Sequence, residues 1–156
     1  MIIIKAKKVE ESKTSIGSLM GQEHANIAGN VHGGEIMKLM DDVAGIVATK
    51  HAQANIVTAK VDGLEFHYPI HISDLVTCTG KLSFVGNSSM EVYVEVIVED
   101  IRNRREPKLA STAYFTMVAL DDNGRPTTVP SLELTNEEEQ SFFEAGKKRY
   151  LEKKHK

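Results

Sequence analysis

The period of the apolar positions changes along this chain, and each change marks an element. Ile36, Met40, Val43 and Val47 recur at i, i+4, i+7 and i+11, an amphipathic face that predicts a helix over about 34–52. Further on the period is two. Met90, Val92, Val94, Val96 and Val98 alternate with Glu91, Tyr93, Glu95 and Glu99, the pattern of a half-buried strand. Similar runs occupy about 55–66, 75–85 and 109–120, and a first strand is predicted over about 9–20. Gly21 to His32 reads as a loop, and Gly86-Asn87 and Asp122-Asn123-Gly124 carry turn chemistry. The last element is a helix starting near Thr135, where Thr135 and Glu138 have capping-box spacing. Glu137–Glu139 early and Lys147, Lys148 and Arg149 late suit the helix dipole, and this helix reads as charged all round. The outline is α+β: strand, long helix, four or more consecutive antiparallel strands, terminal helix. One helix cannot cover both faces of such a sheet. The second face is expected to be partly solvated or buried by oligomerisation.

A wheel drawn at about 100° per residue sorts the long helix. Ile36, Met37, Met40, Val43, Ala44, Val47 and Ala48 fill one arc, and Glu35, Lys38, Asp42 and Thr49 lie opposite, with Leu39 and Ile46 interrupting the polar side. Asp41 falls at the edge of the apolar arc, beside Met37, Ala44, Gly45 and Ala48. A carboxylate there is expected to lose solvation, which raises its pKa and makes it a candidate general base or nucleophile. The bland alternative is a helix-edge residue paired with a lysine or a backbone donor. Gly33-Gly34 at the helix start leaves unpaired N–H groups, a place that favours an oxyanion. Asn26 and Asn30 lie in the loop before it. An asparagine there can orient a water or donate to an oxyanion, or simply hold a turn. A carboxylate, an amide and a helix N-terminus together suit acyl transfer to water.

Composition narrows the class. The 156 residues imply one domain, 1–156, with a core of about 1–130 and a terminal helix of about 135–155. The net charge of −3 disfavours nucleic acid as a partner. Cys78 is the sole cysteine, so no internal disulfide or multi-cysteine metal site is possible, and it reads as an inert buried thiol. His24, His51, His67 and His71 are scattered, without metal-ligand spacing, and read as structural or surface residues; no metal is expected. No stretch approaches the roughly 18–20 apolar residues of a membrane span, and Ile2-Ile3-Ile4 is too short for a signal segment. A soluble, cytoplasmic protein is expected.

The run Ala25-Asn26-Ile27-Ala28-Gly29-Asn30-Val31-His32-Gly33-Gly34-Glu35-Ile36-Met37-Lys38-Leu39-Met40-Asp41 resembles the signature of hotdog-fold acyl-CoA thioesterases. The nearest branch is that of the cytosolic (brain-type) acyl-CoA hydrolases and the broad-specificity bacterial enzymes. The likeness continues through Asn55-Ile56-Val57-Thr58-Ala59, Gly86-Asn87-Ser88-Ser89, Phe115-Thr116-Met117-Val118-Ala119-Leu120 and Glu144-Ala145-Gly146-Lys147-Lys148-Arg149-Tyr150-Leu151, covering nearly the whole chain. The resemblance implies a single hotdog domain, a long central helix wrapped by a curved antiparallel sheet. It implies a homo-oligomer built from hotdog dimers, as a trimer of dimers, a homohexamer. It also implies an active site of Asn26 from one subunit and Asp41 from another, with the Gly33 or Gly34 N–H groups at the oxyanion. Asp41 would act as general base or as nucleophile through an anhydride. Gly86, Asn87, Ser88 and Ser89 match the coenzyme A contact turn, and His32 either touches substrate or caps the loop. Lys147, Lys148 and Arg149 either reach coenzyme A phosphates or form a solvated helix end. Coenzyme A is then substrate and product, and no cofactor is implied. The rival readings are a hotdog hydratase, for which no histidine matches Asp41; a non-catalytic acyl-CoA-binding sensor; and a thioesterase acting on a carrier-bound acyl group.

Overall fold

The computed structural model describes residues 4–154. Its long helix, α2 (Gly33–Ala52), lies in the curve of a five-stranded antiparallel sheet. The strands are β2 (Thr14–Leu19), β3 (Asn55–Phe66), β4 (Leu75–Val85), β5 (Ser89–Glu99) and β6 (Lys108–Leu120). They run in the order β2-β4-β5-β6-β3, so β2 and β3 are the two edges. Lys7–Lys8 (β1) and Leu132–Glu133 (β7) form a separate two-stranded parallel ribbon. This is the expected arrangement of a central helix wrapped by a sheet. Among the described residues no helix is long and apolar enough to cross a membrane.

The alternation read from sequence sets the inner face. Val76, Cys78, Leu82, Met90, Val92, Val94, Val96, Phe115 and Met117 are buried with Ile36, Met40, Val43 and Val47 of α2. The helix approaches β4 closely. A Cβ on Gly80 would sit 2.8 Å from Val43 Cγ1 and 3.3 Å from Val47 Cγ2, so only glycine lets α2 lie this near the sheet.

Three expectations need correction. The strand predicted over about 9–20 is interrupted: Val9–Ser12 forms one helical turn, α1, and the strand begins at Thr14. The Glu11 carboxylate accepts from the Lys8 backbone N–H at 2.6 Å, a local cap that closes the turn and buries Val9 and Ser12. The terminal helix, α3 (Glu137–Lys154), is not solvated all round. It packs on the outer face of the sheet, with Phe142 against Tyr93 and Phe143 and Tyr150 against Phe84, at centroid distances of 5.0–5.5 Å. A Cβ on Gly146 would sit 2.6 Å from Phe84 Cβ, which explains a glycine in mid-helix. Its cap is shifted by one residue from the Thr135–Glu138 spacing. Asn136 Oδ1 accepts from Glu139 N–H at 2.8 Å, and the Glu139 carboxylate accepts from Thr135 N–H and Oγ1 at 2.9 and 3.0 Å.

Under α3 lies Glu91, which is 6% exposed. Arg149 grips its carboxylate in a fork at 2.7 and 3.0 Å and stacks over the Tyr114 ring at 3.9 Å, and Ser83 Oγ donates to it at 2.6 Å. Arg149 is therefore a structural anchor of α3, and of that basic trio only Lys147 and Lys148 are exposed.

Topology also sorts the connections into two ends. The loop 21–32, the N-terminus of α2, the loop 67–74 and the loop 100–107 share one end. There Met20 N–H donates to Asp74 O, Val31 N–H to Ile70 O and His67 N–H to Ala110 O. The Gly86–Ser89 turn, the C-terminus of α2 and the segment around Pro130 share the other, through Val129 N–H donating to Asn87 O and a His51–Pro130 bond of 2.7 Å.

Candidate active site

α2 runs antiparallel to β3. At one end Gly33 lies against the Phe66 ring, and two turns further on Asp41 lies against Thr58, whose Oγ1 donates to Asp41 Oδ1 at 2.7 Å. Thr58 is the residue that sequence reasoning missed. Its signal was present only as a strand position opposite a helix carboxylate, and that pairing cannot be read without the fold. The pair stands over a concavity of about 430 Å³, bounded also by Asp42, Lys50, Ile56 and Met117. Asp41 is exposed in this protomer. The expected desolvation among small apolar neighbours is absent here, because the strand beside Asp41 is the sheet edge and nothing covers the concavity.

At the helix start the two glycines differ. His32 is the N-cap, and its Nδ1 accepts from Gly34 N–H at 3.0 Å. The ring thus caps the helix and occupies one of the two candidate oxyanion donors. Among the described residues the Gly33 N–H has no partner. Gly33 and Asp41 are eight residues apart on one helix, about 12 Å along its axis. They cannot touch one carbonyl from within a single protomer.

Asn26 is exposed in the preceding loop. Its Oδ1 accepts from Asn30 N–H at 3.1 Å and its backbone N–H donates to Asn30 O at 2.8 Å, so its carbonyl holds a turn. Among the described residues nothing accepts from its side-chain amide. Ile27, beside it, is fully exposed. The Asn26 loop lies at the Gly33 end of the molecule.

Gly86, Asn87, Ser88 and Ser89 form a tight turn closed by Gly86 N–H donating to Ser89 O at 2.8 Å. Ala119 N–H donates to Ser88 O and Val129 N–H to Asn87 O, at 3.0 and 2.9 Å, which ties the turn down at the opposite end from Asn26. Thr58, Met117, Met90 and Val85 are successive cross-strand partners. That row puts the turn three strand spacings from Thr58, about 14 Å. One protomer therefore places Asn26 and Gly33 together, Asp41 with Thr58, and the Gly86–Ser89 turn apart from both.

The remaining titratable candidates are structural. Burial pushes the Cys78 thiol up to about 12, far from a reactive thiolate. His51 is 1% exposed, and burial lowers its pKa. His24 Nδ1 accepts from Gly21 N–H at 3.0 Å, and His71 N–H donates to Asp74 Oδ2 at 2.8 Å.

Comparison with known proteins gives one consistent picture. The family model of the thioesterase superfamily matches residues 28–104. The cytosolic acyl coenzyme A thioester hydrolase of Rattus norvegicus is 42% identical over 94% of this chain, and the chain spans 39% of that protein's length. Among solved structures, an apo-hexameric acyl-CoA thioesterase superposes with a TM-score of 0.91 at 32% identity, covering 97% of both chains. An acyl-CoA hydrolase of Staphylococcus aureus, solved with butyryl coenzyme A, coenzyme A and coenzyme A disulfide, gives 0.87 at 34% identity, covering 96% of this chain and 91% of that one. That hydrolase has also been solved with single alanine substitutions at an aspartate, a threonine and an asparagine.

Proposed function

This chain belongs to the thioesterase superfamily, with its hotdog fold, and from that premise we propose that it hydrolyses acyl-CoA to a carboxylic acid and coenzyme A. The observation that carries the reading is the Asp41–Thr58 pair over an open concavity beside an unpaired strand edge. The spacing of the three residues substituted in the Staphylococcus aureus hydrolase supports it. Asparagine to aspartate is 15 residues and aspartate to threonine 17, as from Asn26 to Asp41 and from Asp41 to Thr58 here.

The site is completed by a second protomer. If two β3 edges pair antiparallel near Asp62, Thr58 of each meets the Phe66 region of the other. The partner's α2 N-terminus and Asn26 loop then arrive over Asp41, and the concavity is covered. An edge strand of 12 residues whose outer side is open is also an aggregation hazard unless that side is paired. Each dimer has two equivalent sites, and the hexameric relatives support a trimer of such dimers.

In that site the thioester carbonyl lies against the Gly33 N–H, which stabilises the developing oxyanion. Asn26 of the same subunit orients the water or the thioester. Asp41 of the other subunit removes a proton from water as it attacks, with Thr58 fixing the carboxylate. The C–S bond then breaks as the carbonyl re-forms, and the departing thiolate takes up the proton that Asp41 removed, which restores the Asp41 carboxylate. A thiol of pKa about 8.5 leaves readily, so the mechanism calls for neither a metal nor a resident cofactor. The cytosolic relative from rat places such an enzyme in the cytosol, and we assign this one there.

Thiol release from acyl-CoAs of graded chain length tests the reading, with wild type and Asp41→Asn compared. Wild type turns over at least one chain length, and removal of the general base lowers kcat by about 10²–10⁴. Coenzyme A binding without release from any acyl-CoA would replace the hydrolase with a sensor.

A further inference from the structure

The β5–β6 connection and the first residue of β6 form a basic stretch in an acidic chain. Between Asp100 and Lys108 it carries Arg102, Arg104, Arg105 and Lys108 against Asp100 and Glu106, in a protein of net charge −3. Every residue from Ile101 to Leu109 is exposed. The turn is nonetheless fixed: the two Asp100 carboxylate oxygens accept from Asn103 N–H and Nδ2 at 3.2 and 2.8 Å. Arg104 is held in the left-handed region at φ 52°. Arg105 lies 3.9 Å from Asp100, but among the described residues Arg102 and Arg104 have no ion-pair partner. Lys108 Nζ stands 5.8 Å over the Tyr68 ring.

Position gives this patch its meaning. The connection belongs to the end of the molecule that holds Asn26 and Gly33. Phe66, whose ring touches Gly33, pairs with Ser111, and Lys108 lies three residues beyond on the same strand, about 10 Å away. A thioester seated at Gly33 carries a pantetheine arm longer than that gap, ending in a pyrophosphate and a 3′-phosphate. Arginine forks suit such groups, which they hold through paired, charge-assisted bonds. The competing cations are placed less well: Arg149 is locked on Glu91, and Lys147 and Lys148 lie on α3, against the outer face of the sheet.

On the reading of the chain as an acyl-CoA hydrolase, we propose that Arg102 and Arg104, with Lys108 beside them, form the subsite for the phosphates of the coenzyme A moiety whose thioester lies at Gly33 of the same protomer. The Gly86–Ser89 turn that reaches this end in the dimer is the partner's, and the two contact different parts of the ligand.

The test measures the affinity of the purified full chain for coenzyme A by calorimetry, alongside steady-state kinetics on an acyl-CoA and on the same acyl group carried by N-acetylcysteamine, which lacks every phosphate. In Arg102→Ala/Arg104→Ala, coenzyme A binds about tenfold more weakly and KM for acyl-CoA rises in step. The variant keeps its kcat, and its kinetics on the N-acetylcysteamine thioester stay at wild-type values. Arg102→Lys/Arg104→Lys, which keeps the charge but not the fork, falls between. Lys147→Ala/Lys148→Ala removes the same charge elsewhere and changes nothing. Unchanged coenzyme A affinity in the arginine variant overturns the subsite, as does an equal loss in the two alanine pairs. A wild type that binds coenzyme A yet releases no thiol sinks the hydrolase reading alone, and the binding comparison still decides the subsite.

Discussion

Asp41 without Thr58 would be one more exposed helix carboxylate, like Asp42 beside it. The hydroxyl at 2.7 Å fixes one of its oxygens and leaves the other open to the concavity. Thr58→Val keeps the shape of the strand and removes that donor. A hydrogen bond to a charged group contributes about 1.5–3 kcal/mol, so kcat is expected to fall roughly 10–100-fold, with the melting temperature little changed. Steady-state kinetics and a thermal melt on the same preparation check both halves. The helix wheel made Asp41 conspicuous because a carboxylate bordering an apolar arc is uncommon. It could not show whether anything covers that border, since this depends on β3 being the last strand of the sheet. Thr58 was hidden for the same reason: its partner lies 17 residues away across a helix–strand contact that no local pattern encodes.

At the scale of elements, periodicity was a good guide wherever one face alone is buried. α2 begins one residue from the predicted start, and β3 and β4 have the predicted limits. It was a poor guide to α3, where acidic and basic residues outnumber a narrow stripe of Phe142, Phe143, Gly146 and Tyr150 that grips the sheet. The anchor of that helix is the Glu91–Arg149 fork. Arg149→Met leaves a buried carboxylate with only Ser83 for company, and is expected to cost about 3 kcal/mol, the lower end for a broken buried pair because Arg149 is itself 28% exposed. Adding Glu91→Met should recover most of the loss, and urea unfolding of the single and double variants measures it. At the other end of the fold, His51 ties the last turn of α2 to Pro130 through Nε2, while its buried Nδ1 has no partner among the described residues. Burial lowers its pKa, so the unfolded chain takes up a proton first as pH falls through about 6.5. Stability is therefore full above that pH and lost progressively below it. Urea midpoints at pH 7.5 and 5.5 should separate more in wild type than in His51→Asn.

At the scale of the whole molecule, the proposed reaction requires a dimer, because of how the fold distributes the proposed residues between its two ends. Asn26 and Gly33 occupy one end, Asp41 lies about 12 Å along the helix from Gly33, and the Gly86–Ser89 turn occupies the other end. At that separation they do not meet in one protomer, whereas the proposed two-fold axis on β3 would bring them together. Sequence reading singled out every residue of the proposed site except Thr58. Their division between two subunits came only with the family resemblance, because no periodicity records which end of a fold a residue reaches.

Subunit complementation tests this division most directly. Asn26→Ala and Asp41→Asn are each expected to be inactive in thiol release. When the two are unfolded together and refolded as a mixture, half of the dimers pair one variant with the other, and each of these has one site with both residues intact. By the symmetry of such a dimer, about a quarter of wild-type activity returns. If the mixture stays as inactive as its parents while mixed dimers are present, Asn26 and Asp41 do not meet across subunits, and the site described here is wrong.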